Sequence, residues 1–319
     1  MIGQHVKLAG AFAYEVHNAG VLRETGWIDN MILDSFFFSW LAGTTSASNY
    51  FRYCGLGTST AAVSPGDTSI TPTADARATR SGTEPVLYQA LGQWRTGNSY
   101  VFPVRSTAQT VNKLGIYDAL TGGILSAAAL LSSPLNLIAG DILTVKHYIT
   151  ATLDISDRTG ILTLDGVSCA YTMRWMNLDA SLDNANLRTS PWNLHGVGWG
   201  ITPTTFGYSV NLTMAQNQTL ITNTQDRSSI PGTAGDASSA GCTITPSAYV
   251  ASTYYRDLEW TMPYHQGNTP LGAGNIIFSL ASPFSAEMGF VINFSANRVP
   301  KLMDSTREFK IKLRFTWGR

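Results

Sequence analysis

Charge is what the chain most lacks. Only 13% of its 319 residues are Asp, Glu, Lys or Arg, about half the share of an ordinary globular protein. The 21 basic residues are balanced by 21 acidic ones, and a net charge near zero favours association over colloidal dispersion. Such a surface suits burial against neighbouring subunits better than life as a free monomer. Cysteine is scarce too. Cys54, Cys169 and Cys242 are odd in number, widely spaced and outside any CxxC, so neither a disulfide framework nor a zinc site is expected. The five histidines, His5, His17, His147, His195 and His265, include no pair at metal-ligand spacing. There is no GxSxG nucleophile motif and no tidy carboxylate pair. Gly55-Leu-Gly57 and Gly196-Val-Gly-Trp-Gly200 lack the GxxxxGK[ST] ending of a phosphate-cradling loop. No enzyme and no cofactor are expected. The first ten residues lack the basic and apolar regions of a secretory signal. The nearest thing to a membrane span, the uncharged residues 119–140, is broken by Gly122, Gly123, Pro134 and Asn136, so it predicts a hairpin and not a membrane span.

Alternation is what the chain has in place of charge. Residues 309–319 alternate apolar and polar side chains, as does a stretch 166 positions earlier. In the earlier one Leu143, Val145, His147, Ile149, Ala151, Leu153 and Ile155 would face inward, because successive strand side chains point to opposite faces. The same offset sets Gly123 on Gly289, Pro134 on Pro300, Lys146 on Lys312 and Thr150 on Thr316. Short strands at regular spacing with few helices then predict an all-β chain. It would hold two related β-sandwich, jelly-roll-like domains from an internal duplication, residues 1–157 and 158–319. Two Ser/Thr/Gly-rich loops interrupt them: 59–85, read as a long loop or extended arm, and 222–248. The one helix expected runs from Met31 to Trp40, capped by Asp29 or Asn30. Further strands are expected at 86–93, 99–104, 110–117, 124–131, 161–164, 169–176 and 206–214.

Three groups of residues are candidates for function. Trp40 and Trp317 are aromatic anchors expected at subunit contacts. Trp192 and Trp199 flank a glycine-rich loop beside His195, an arrangement in which exposed rings could stack sugars. Residues 298–319 carry seven basic and two acidic residues. Their strand residues Lys310, Lys312 and Arg314 could meet nucleic acid or an acidic partner. The preferred reading makes them a solvated face that blunts edge-to-edge pairing, so nucleic acid is not an expected partner. His147 reads as a core residue.

Residues Gly20-Val-Leu-Arg-Glu-Thr-Gly-Trp-Ile-Asp-Asn30 with Met31-Ile-Leu-Asp34, then Tyr53-Cys-Gly-Leu-Gly-Thr58 leading into a Pro-Gly-Asp segment, make a recognisable series. It continues in Asn112-Lys-Leu-Gly-Ile-Tyr117 and Leu137-Ile-Ala-Gly-Asp-Ile-Leu-Thr-Val-Lys146. This order of features resembles structural proteins of tailed bacteriophages, chiefly over residues 11–155. The second half joins through the repeat and the closing Phe315-Thr-Trp-Gly-Arg319. The resemblance implies a non-enzymatic β-rich building block of the virion, assembled in the bacterial cytoplasm as a ring or trimer with copies of itself and other virion proteins. Its place would be at the neck, tail tip, baseplate or fibre attachment. The alternatives are a tail module that binds host-surface carbohydrate and a capsid decoration protein.

Overall fold

A seventeen-residue strand, β1 (Ile2–Asn18), turns through Ala19 and Gly20 into β2 (Val21–Ile32). Both turn residues have positive φ, 48° and 82°, as a two-residue loop of mirror-image type requires to match the twist of its strands. The structure, a computed structural model, describes residues 2–43, 47–164, 166–176, 178, 211–215, 218–225, 243–266, 268–269, 271–279, 289–302 and 306–319. It is predominantly β. Among these residues there is one α-helix, α1 (Asp34–Ala42).

The first half continues with β3 (Tyr53–Gly57), β4 (Ala78–Ala90), β5 (Gln93–Val101), β6 (Gln109–Tyr117), β7 (Leu125–Leu137) and β8 (Asp141–Leu153). These eight strands form a closed cycle, β1-β2-β7-β6-β3-β4-β5-β8 and back to β1. Two junctions of the cycle are short. β2 meets β7 only at Met31 and Ile32, and β4 meets β3 only at Ala78 and Thr79. β2 and β4 therefore cross between two layers at the corners, and the layers enclose Phe12, Trp94, Tyr100, Val145, Leu56, Leu114 and Ala127. Strand β8 shows the alternation expected of it: Leu143, Val145, His147, Ile149, Ala151 and Leu153 are buried and the residues between them are half-exposed. His147 lies in this core between the rings of Phe12 and Phe51, at 5.0 and 5.6 Å.

The second half adds β9 (Arg158–Leu164), β10 (Val167–Met176), β11 (Asn211–Ala215), β12 (Thr243–Pro246), β13 (Tyr255–Met262), β14 (Asn275–Ser279), β15 (Gly289–Phe294) and β16 (Phe309–Gly318). β16 pairs in parallel with residues 2–7 of β1, and β13 and β12 extend the sheet beyond it. The other five strands form a separate sheet, β11-β14-β15-β10-β9. Trp260, Phe315, Phe278, Phe290 and Trp175 fill the space between these layers with ring centroids 4.5–6.3 Å apart. The two alternating strands aligned by the 166-residue offset, β8 and β16, thus belong to one sheet, and both flank β1.

Two expectations need correction. The helix starts three residues later than expected, because Asp29 and Asn30 pair with Ala11 and Gly10, and Met31 and Ile32 with β7. Leu33 holds the N-cap position without a side-chain bond. Residues 59–85 are not an extended arm. From Ala78 onward they are strand, and the preceding segment lies on the outer face of β3, β6 and β7. There Ile70 packs on Tyr117, Leu125 and Ala128. That face is apolar on both sides, so it needs a cover. Gly57 makes the close approach possible, since a Cβ there would sit 2.4 Å from the Ile70 carbonyl oxygen. Residues 243–246 of the second long loop are likewise strand β12, and 226–242 lie outside the described residues.

Candidate functional site

The outward face of β2, β1, β8, β5 and β4 carries the most distinctive surface chemistry. Between Lys7 and Glu15 the outward residues of β1 are small, Ala9, Ala11 and Ala13, so the side chain of Trp27 on β2 reaches across to Tyr148 on β8. The rings stack with centroids 5.3 Å apart and planes 25° from parallel. Gly97 on β5 faces Tyr148 in register, and a Cβ at that position would meet the ring at 2.7 Å. The guanidinium of Arg95, also on β5, lies 5.0 Å from the Tyr148 ring and 5.8 Å from that of Trp27, within range of a cation–π attraction. Leu87 on β4 sits opposite Arg95 in register and is partly exposed. Trp27 is 54% exposed, an unusual state for so large an apolar ring. Beside this platform Lys146 pairs with Glu84 at 3.5 Å, and Ser99 donates to the same carboxylate at 2.8 Å. Burial, with Glu84 adding to it, pushes the Tyr148 phenol pKa up, against the pull of Lys146 and Arg95.

At one end of the closed cycle a second feature is centred on Asp141, which is fully buried. Its carboxylate pairs with Arg23 and accepts from Asn18 Nδ2 at 2.8 Å and from the Ile138 amide at 2.8 Å. The neighbouring backbone is tied by Arg105 N to Asp141 O at 2.8 Å and Gly140 N to Arg105 O at 2.9 Å. Around this polar knot stand exposed apolar side chains. Val21 pairs in register with Asn18, Ile138 gives its amide to Asp141, and Val104 adjoins Arg105. They are 67%, 47% and 61% exposed.

The anticipated residues fall elsewhere. Trp40 and Trp317 do meet, edge to face at 4.7 Å, but both are buried inside the chain. They join α1 to β16 within one subunit and are not available at its surface, which corrects their assignment to a subunit contact. The same seam is tied by Arg256 donating to the Leu41 carbonyl at 2.9 Å, Tyr254 donating to Asp34 at 2.7 Å, and Arg319 bonded to Asp34 and the Ile32 carbonyl. Arg314 is held by Asp257 through two bonds of 2.8 and 2.9 Å and lies 3.7 Å from the Tyr255 ring. Lys310 pairs with Glu308 at 3.0 Å, and Lys312 sits opposite Glu259 on β13. Acidic neighbours therefore answer each of the three basic residues, and no basic groove is assembled from them. Trp192, His195 and Trp199 lie outside the described residues. Among the described residues no three His, Cys, Asp or Glu converge as a metal site. Cys54 and Cys169 are free and buried, and burial pushes both thiols up. Among the described residues no helix is long and apolar enough to cross a membrane.

The platform could have been found in the sequence only in part. Trp27 stands in an alternating stretch with polar neighbours, which puts it on the outer face. Its pairing with Tyr148 depends on the β1–β8 register, which no local pattern encodes. Comparison with protein-family models, with curated proteins and with solved structures finds no match to this chain.

Proposed function

We propose that the chain is a structural subunit of a tailed-bacteriophage virion, tail-associated, that acts by assembling with copies of itself and other virion proteins. The observation that supports this reading is the apolar rim of Val21, Val104 and Ile138 mounted on the rigid Asp141 knot. Exposed apolar groups cost little when scattered, but gathered on a fixed frame they favour association. The low, balanced charge of the chain acts in the same direction. The two layered units are, in the same reading, related jelly-roll-like sandwiches from an internal duplication. The fixed 166-residue offset supports this, together with the placing of both repeat strands against β1.

The test is the mass of the purified protein by light scattering, for the wild type and for Val104→Asp combined with Ile138→Asp. The expected result is a defined oligomer for the wild type and a folded monomer for the variant, since both side chains are exposed. A wild-type monomer that the variant does not alter, and that enters particles as well as the wild type does, would reject the proposal. Copies of the chain on empty, tailless heads would favour capsid decoration.

A further inference from the structure

The apolar rim does not involve the Trp27–Tyr148–Arg95 platform, which lies on the sheet face and not at its end. We propose that this platform is a carbohydrate-binding site that seats the flat C–H face of a pyranose ring. Three observations carry the inference. First, Trp27 is held in place by stacking on Tyr148, so a ligand meets a rigid aromatic surface and orders little on binding. Second, the ring pair is bordered by both positive and negative groups: Arg95, the Lys146–Glu84 ion pair, and Asp29, which stands opposite Ala11 and so in the row of Tyr148. Such a mixed border matches a polyol, whose hydroxyls both donate and accept, and does not match a polyanion. Third, Arg95 forms no ion pair or side-chain hydrogen bond among the described residues, although carboxylates stand on the neighbouring strands; its Nε is buried, so the terminal nitrogens of the guanidinium are the donors that face outward. A guanidinium in this state has donors to spare for ring or hydroxyl oxygens.

The small outward residues of β1 and Gly97 of β5 belong to the same arrangement. They lower the floor on which the rings lie, and a bulkier residue at 97 would strike Tyr148. Leu87 adds an apolar edge beyond Arg95.

The experiment is binding of the full chain to a glycan array of hexose, N-acetylhexosamine and uronic-acid oligosaccharides, followed by calorimetry with the best-retained glycan. Trp27→Ala and Tyr148→Ala are each expected to weaken binding about 3- to 10-fold, the range of one aromatic contact, and Trp27→Phe to restore part of it. Arg95→Gln is expected to weaken the same glycan. Melting temperature provides the folding control, and Trp27 is exposed enough that Trp27→Ala should leave it nearly unchanged. Retention of no glycan, or unchanged affinity in folded Trp27→Ala, would overturn the assignment. So would a loss of self-association in Trp27→Ala without any change in glycan binding, which would make the platform a contact between copies. Because the rim variant Val104→Asp with Ile138→Asp leaves the platform intact, it should still bind glycan, so the two proposals fail separately.

Discussion

Asp141 shows how one charged side chain can be buried in a chain that has so few. Burial alone would raise its pKa, but the Ile138 amide, Arg23 and Asn18 outweigh that and hold the carboxyl below its ordinary value. A folded-state pKa below the unfolded one adds stability that is present in full above the unfolded value of about 3.9. That stability is lost as the pH falls from there through the folded value. Asp141→Asn should cost about 2–3 kcal/mol at neutral pH, since it leaves Arg23 facing a neutral amide. It should also flatten the acid limb of a plot of melting temperature against pH; an acid limb as steep as the wild type's would deny Asp141 this role. A gain is available at the hairpin tip. Ala19 carries a φ of 48°, a conformation that costs an L-residue with a Cβ roughly 1 kcal/mol and that Asn tolerates far better. Ala19→Asn should therefore raise the melting temperature, by thermal unfolding, without altering the fold.

At the scale of elements, α1 is the piece that fastens the two halves together. It has no side-chain N-cap, so the carboxylate of Asp34 in its first turn and the partners from the second half do the holding. Trp317→Ala should cost about 3–5 kcal/mol in denaturant unfolding, as for other buried aromatics. With Trp40→Ala it should give a coupling of about 0.5–1.5 kcal/mol in a double-mutant cycle; additive losses would mean that the rings pack independently. The elements differ in how legible they were. The strand over 141–153 was plain in the sequence because period-2 alternation is a local signal, and burial followed it residue by residue. The helix starts later than its local signals indicate, because Asp29 and Asn30 are good caps locally, yet pairing with β1 claims their backbone first. Residues 59–77 look like a free loop by composition. Only the apolar outer face they cover, which lies elsewhere in the sequence, explains their packed course. Lys310 and Lys312 lie on the exposed face of the last strand, but that strand is flanked by β13 and β1 and so offers no free edge for them to blunt, and its acidic neighbours on β13 cannot be seen without the pairing.

At the scale of the molecule, the two ends of the chain make the decisive contact. β16 fills the place between β13 and the first residues of β1, so the halves cannot complete their sheets separately. Pairing residue 2 with residue 313 defers that closure to contacts of very high sequence separation, which slows folding. It also leaves the apolar edges of β1 and β13 exposed until the end. Removing residues 309–319 deletes Phe309, Ile311, Leu313, Phe315 and Trp317, all buried, together with the Arg319 bonds to α1. The expected outcome is aggregation of the truncated chain and not a folded first half, measured as soluble yield and elution volume beside the full chain. A soluble, cooperatively melting protein from residues 1–308 would show that the closed cycle β1–β8 is stable alone, and that the second half is an attachment to it and not a condition of its folding.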